Sequence, residues 1–373
     1  MDRIFTQKKV ILEKIKSKSA FYVWLGGIIF GLLFTLLIWV LGPNLNHFTF
    51  TLLPINNINW YHWKLPIRNF WAMVIVWIFY LANQFLIWGA IYWAQKNLTK
   101  EKVNPTYDLT KYNIAVISIS IFFIFLHLLQ TQIWFDGLAQ DVPIITSQGS
   151  VIIMLAIALI LLNPVQGMFL GRKAGKPFTK QVTEFFQHNH MYIISWALIY
   201  TFWFHPMAND PQLLTGFFFM FLLFTQMSLA YTKIHLDLRW LVLLQSWVAI
   251  HAVFVAVYNT LFFNNSDMWP MFFSGFAFMF VFTYMYALNV KKHVKWLVTS
   301  AYILFLILIY TPVPYGFGRD PSFLLRLEFI WIPLILYGLA ALFAVIALGW
   351  LKIKKQPNQP VYDKSEISKT FKQ

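Results

Sequence analysis

Apolar runs of about 20 residues follow one another along the chain, separated by short polar and basic stretches. A hydrocarbon core of about 30 Å asks for roughly that many residues from a helix rising 1.5 Å per residue. Ten such runs are legible, at approximately 20–42, 69–94, 113–133, 150–170, 186–205, 213–232, 239–262, 269–289, 295–312 and 328–351. The pattern predicts an all-α, polytopic membrane bundle of about ten transmembrane helices. In the fourth run, "LNPVQG" at 162–167 places Pro164 and Gly167 where they are expected to end or kink the helix.

The charges between the runs test that count. All but Lys64, Arg68, Arg319 and Arg326 of the 29 Lys and Arg fall on one side of the alternation, as the positive-inside rule asks. Both termini are therefore expected in the cytoplasm, in an inner (plasma) membrane. Residues 1–19 form a basic segment in which Ile4, Ile11 and Ile15 share one helical face, suited to lying on the inner membrane surface. The apolar run from Ala20 is too long for a cleaved signal and has no small-residue cleavage site after it. Residues 20–352 form the ten-helix domain, and the polar stretch 353–373 reads as a disordered cytoplasmic tail.

Composition agrees: 59% of residues are hydrophobic, 12% are charged and the mean hydropathy is +0.61, outside the range of soluble domains. The net charge of +15 follows from topology and attraction to anionic lipid, so the lipid bilayer is the expected partner and nucleic acid is not. Two outward loops, "PNLNHFTFTLLPINNINWYHWKLPIRN" and "WFDGLAQDVPIITSQGS", are long enough to cap a site. Their Trp60, Tyr61, Trp63 and Trp134 suit an interfacial aromatic belt. With no cysteine, thiolate ligation and covalent c-type haem are excluded, leaving histidine and carboxylates to hold any metal.

Ionisable groups within the bilayer are costly and mark functional candidates. Of nine histidines, the topology puts His188, His190, His235 and His293 toward the inner side and His47, His62, His127, His205 and His251 toward the outer. The fifth and seventh helices run in the same direction. The fifth carries His190 and His205; the seventh starts just after His235 and carries His251. Fifteen residues from His190 to His205 rise about 22 Å and end about 60° past four full turns, so both rings face one seam. From His235 to His251 the excess is about 160°, so His235 joins the seam only if it sits in the preceding turn, within "TKIHLDLR".

The segments "HNHMYIISWALIYTFWFHP" and "LRWLVLLQSWVAIHAVF" give residues 184–258 a weak resemblance to the transmembrane haem b domain of the ferric reductase-like superfamily. The rest of the chain has no such likeness. The resemblance implies two stacked b-type haems, one between His190 and His235 and another between His205 and His251, in a core of the third, fifth, sixth and seventh helices. Gly216 and Ala252 would leave room, and Lys233 and Arg239 would meet the propionates. Transmembrane electron transport follows, with a quinone or a cytoplasmic electron-donor protein as partner, since the chain has no flavin or nicotinamide domain of its own.

Two other readings stand beside it. His127, His205 and His251, with Asp136, Asp141 and Asp210 in adjacent loops, form a possible outer-face metal site for a membrane enzyme, although His127 and Gln130 are also placed to satisfy each other. A secondary transporter or channel-like protein would instead use Asn83, Gln84, Gln226, Gln245 and Glu328. There is no phosphate-binding glycine loop, HExxH or GxSxG, and the first helix lacks the Arg-Gly dipeptide and histidine of membrane acyltransferases.

Overall fold

The computed structural model describes residues 18–48, 61, 63–262 and 268–354. The basic N-terminal segment, Trp60, His62 and the C-terminal tail lie outside them. Ten long helices lead the description: α1 Ser19–Leu41, α2 Phe70–Asn97, α3 Lys111–Trp134, α4 Ile144–Gln166, α5 Lys180–Phe204, α6 Pro211–Ser228, α7 Leu238–Phe262, α8 Trp269–Phe282, α9 Lys292–Tyr310 and α10 Trp331–Lys354. Among the described residues there is no strand, only two isolated bridges. Among the described residues nine of these helices, α8 being counted with the 3-10 turn that carries it to Ala287, are long and apolar enough to cross a membrane. The exception is α5, whose first half, "KQVTEFFQHNH", lowers its hydropathy. The chain is a multi-pass helical membrane protein.

Local chemistry sets the helix starts. Asn69 accepts from the Ala72 N–H to cap α2, Thr110 and Asn113 form a capping box on α3, and Asp210 caps α6 ahead of Pro211; each satisfies amides that have no partner within the helix. The fourth helix differs from its expected 150–170. It begins at Ile144, inside the supposed loop, because the hydroxyls of its polar first turns are absorbed by α5: Thr146 Oγ1 meets Tyr200 Oη at 2.7 Å and Ser150 Oγ meets Thr201 Oγ1 at 2.8 Å. It runs through Pro164 and stops at Gly167, whose φ of 73° ends the helix.

The sixth helix packs on α1, α3, α5 and α7, while α5 packs on α2, α4, α6 and α10. These two helices contribute to both large apolar cores, one shared with α1, α2 and α3 and the other with α4, α7, α8 and α10. Large side chains on the periphery point outward, Leu33 of α1 being 61% exposed and Leu297 of α9 69%. Such continuous apolar surface is a liability in water and ordinary against lipid.

The basic end is cross-braced. Buried Asn113 donates through Nδ2 to the carbonyls of Ser228 at 2.8 Å and Ala230 at 2.7 Å, just past the end of α6. Thr106 pairs with Thr232 in a parallel bridge and accepts from the Lys233 N–H at 2.9 Å, while the Tyr107 carbonyl accepts from the Ala20 N–H at 2.8 Å. The turn between α6 and α7 is thus tied to the α2–α3 connection and to the start of α1. At the other end, Arg319, Glu328 and Tyr310 form a buried charged cluster linking α9 to the start of α10.

Asn113→Ala should lower unfolding stability by about 2–4 kcal/mol, because it strands two carbonyls and part of a capping box. Detergent-solubilised thermal or denaturant unfolding measures this. A loss under about 0.5 kcal/mol, the usual effect of a surface change, would mean that the brace is not a stabilising element.

Candidate functional site

The expected inner pair meets. His190 lies on α5 after three turns of helix, and His235 lies in the 3-10 turn Ile234–Leu236 that precedes α7, where helical phase does not direct its ring. The ring centres are 6.4 Å apart with planes inclined by 34°. Both rings are oriented through Nδ1. His190 donates to the carbonyls of Gln187 at 3.0 Å and Phe186 at 3.2 Å, and His235 donates to the Gln226 carbonyl at 2.9 Å. Gln226 reinforces the second contact: its Nε2 donates to the His235 carbonyl at 3.0 Å and its Oε1 accepts from Trp240 Nε1 at 2.7 Å.

With Nδ1 carrying the proton, the Nε2 lone pair of each ring is left available, the tautomer that metal-ligating histidines adopt. Burial holds the His235 imidazole below its usual pKa, the Gln226 carbonyl pulling partly back, so the ring stays neutral at pH 7. Both rings line a cavity of about 860 Å³ between α4, α5, α6 and α7, walled by residues such as Leu155, Ile194, Phe219 and Leu244. That volume lies within the range of small-molecule and cofactor sites, about 300–1,000 Å³. Deep in it sits Gln245, 6% exposed, with neither Oε1 nor Nε2 hydrogen-bonded. At the mouth are Lys102 and Lys233, with Glu101 and Asp108. An iron bound on both faces by imidazole nitrogens at about 2 Å separates the ring centres by about 6 Å. The observed separation of the two ring centres is of that size.

The outer histidines are arranged differently. His205, directly after α5, shares a 2.7 Å hydrogen bond between Nδ1 and the hydroxyl of Tyr61 and packs against Tyr61, Trp63 and Phe204. His251 on α7 shares a 3.0 Å hydrogen bond between Nδ1 and Thr215 Oγ1. Among the described residues the two rings make no ring contact with each other. Gly216 gives its room to the His251 ring itself: a Cβ there would stand 3.2 Å from His251 Cε1. Tyr61 is 3% exposed and engaged by His205, so it is no interfacial belt residue.

Fully buried His127 has Nδ1 2.9 Å from Gln130 Oε1 and Nε2 2.9 Å from the His205 carbonyl. Oxygen atoms thus occupy both of its nitrogens. Asp136 accepts from the Leu65 N–H at 2.9 Å, Asp141 binds Arg68 and Trp77, and Asp210 caps α6. Among the described residues no group of three or more His, Asp or Glu is arranged to hold a metal ion. At the inner rim Arg239 faces outward and pairs with Asp237 at 2.8 Å.

Sequence reasoning did not single out Thr215 or Lys102, and it read Tyr61 as interfacial. Thr215 lies four residues from the Pro of an apolar helix with no local signal, and Lys102 was absorbed into the basic loop pattern. The chain matches no protein-family model, no curated protein and no solved structure.

Two outcomes follow. Burial pushes the Asp136 carboxyl from 3.8 up to about 6, with the Leu65 N–H and Lys64 pulling partly back. A raised folded pKa means a contribution that is full below about 4 and is lost as pH rises to about 6. Asp136→Asn should therefore gain on the wild type across that window by at most about 3 kcal/mol and stay ahead above it; unfolding midpoints from pH 4 to 8 measure the gap, and a constant gap contradicts the burial argument. Gly216→Ala should cost about 1–3 kcal/mol by crowding His251. Thr215→Val, which frees that ring, should reduce the crowding cost in the double variant.

Proposed function

We propose that the chain is a transmembrane b-type haem protein that carries electrons across the bilayer. His190 and His235 would hold the haem of a site near the basic end, and His205 and His251 would hold that of a second site toward the opposite end. The observation that carries this reading is the inner pair: two neutral, Nδ1-anchored imidazoles 6.4 Å apart on the wall of an apolar cavity of about 860 Å³.

When bound, haem supplies a one-electron iron couple, and the protein's contribution is ligation, orientation and electrostatics. The carbonyls of Gln187 and Gln226 orient the inner rings and raise their basicity. The Leu, Ile and Phe walls exclude water. Tyr61 and Thr215 would orient His205 and His251 in the same way from the other end. Along α5, His190 and His205 are separated by about 22 Å of rise, which is most of a hydrocarbon core. The basic end faces the cytoplasm in the positive-inside reading, and a quinone or a separate donor protein delivers electrons there.

A transporter reading keeps Gln84 and Gln245, whose amides are unpaired among the described residues, but three of its five polar residues are engaged. Gln226 holds His235 and Trp240, Glu328 holds Arg319 and Tyr310, and Asn83 accepts from Trp203 Nε1 at 3.2 Å.

Protein purified from haem-replete cells should give a reduced-minus-oxidised spectrum with the Soret and α bands of a six-coordinate b haem. His190→Ala and His235→Ala should each remove the same component, whereas His293→Ala, at the exposed start of α9, should remove none. A colourless wild-type protein that also fails to take up added hemin would overturn the proposal.

A further inference from the structure

Lys102 belongs to the short helix Thr99–Val103 in the α2–α3 connection and lines the mouth of the His190–His235 cavity. It is half-buried, and burial pulls its ammonium below the usual lysine range. Four other cations have carboxylate partners: Lys180 meets Glu184 at 3.3 Å, and Arg239, Arg68 and Arg319 meet Asp237, Asp141 and Glu328. Among the described residues Lys102, partly buried, has none, although Glu101 and Asp108 line the same cavity. It stands close enough for its charge to act on His190. Burying an ammonium without a counter-charge is unfavourable. Lys102 thus presents a partly desolvated positive charge to the cavity, where an anion would offset that cost.

A second, independent observation points the same way. On the wall of this cavity the Gln245 amide is buried with neither of its polar atoms hydrogen-bonded among the described residues. The cavity thus combines an ammonium without a carboxylate partner, apolar walls and a vacant polar contact. That profile suits an amphiphile with its anionic edge at the mouth and its apolar body inside.

We propose that Lys102, rather than Arg239, docks the anionic group of the molecule filling this cavity and sets the electrostatic potential at the His190–His235 site. The inference rests on the haem reading above, in which the anion is a propionate carboxylate. The phosphate of an anionic phospholipid offers the same chemistry, an anion on an apolar body. Lys233, exposed and 5.6 Å over the Tyr107 ring, plays a lesser part. A positive charge near the iron favours the reduced state, so its removal lowers the reduction potential.

The test compares wild type, Lys102→Gln, Lys102→Arg and Lys100→Gln, the last an exposed lysine on the same short helix that does not line the cavity. Circular dichroism confirms folding, and redox titration follows the spectral component that His190→Ala removes. Lys102→Gln should shift its reduction equilibrium by about tenfold toward the oxidised form, which for a one-electron couple is about 59 mV, or lower its haem occupancy. Lys102→Arg should restore it, and Lys100→Gln should leave it unchanged. A folded, haem-replete Lys102→Gln protein with the wild-type potential and occupancy overturns this inference and leaves the haem reading standing. Should the wild type carry no haem, the haem reading falls and native mass spectrometry in phosphatidylglycerol-containing micelles decides for Lys102. A bound phospholipid lost in Lys102→Gln supports the anion site with a lipid headgroup as its source, whereas unchanged lipid binding overturns it.

Discussion

Within hydrocarbon, a polar group has no water to turn to and must find its partner inside the protein. Much of the bundle is arranged to meet that demand. Thr146 and Ser150 close against α5, His127 is held by Gln130 and a backbone carbonyl, and Asn113 joins α3 to the end of α6. Against this background, two histidines anchored through Nδ1 on the wall of one cavity form an exception with a shape. Other buried amides also lack partners, Gln84 and Gln166 among them, but Gln245 is the one that shares a cavity with a pair of ligand-type imidazoles.

The site inherits its geometry from the basic end of the bundle. A helix alone cannot bring His235 to His190, because the residues of α7 are committed to their own phase. The α6–α7 turn removes that constraint at a cost in backbone freedom: Tyr231 takes a φ of 68°, in the left-handed region that a bulky residue occupies at a cost of about 1–2 kcal/mol. Asn113, Thr106 and Gln226 then fix the turn from three directions. The brace and the histidine pair are one structural unit, so a change that loosens the connection also moves a ring facing the cavity.

The bundle was largely legible in the sequence because hydrophobic length and loop charge act locally. All ten apolar segments are helices, though only nine meet the length and hydropathy expected of a span. The misread boundaries have tertiary causes. Residues 146–150, TSQGS, look like loop because they are polar and contain a glycine, and they are helical because Tyr200 and Thr201 on another helix hydrogen-bond Thr146 and Ser150. The same distinction holds in the site. The separation of His190 from His205 and the need for His235 to leave the helical phase follow from 3.6 residues per turn. The embrace of His205 by Tyr61, and the position of Lys102 at a cavity mouth, depend on loops that meet only in the folded chain, and no periodicity announces them.

Helical phase alone favours the outer pair, whose residues sit at regular positions, over the inner pair, which requires a departure. The packed structure reverses that order, and the reason is mechanical. His235 sits on a turn that can be aimed, whereas His251 is fixed within a regular helix, its ring laid against Gly216 and its Nδ1 drawn to Thr215. His205 is likewise held from the side by Tyr61, with aromatic rings packed around it. Each outer ring is well ordered by its own neighbours, and neither is ordered by the other. The two ends of α5 therefore differ: at the basic end two imidazoles stand 6.4 Å apart on one cavity wall, and at the far end the apolar packing holds each ring separately.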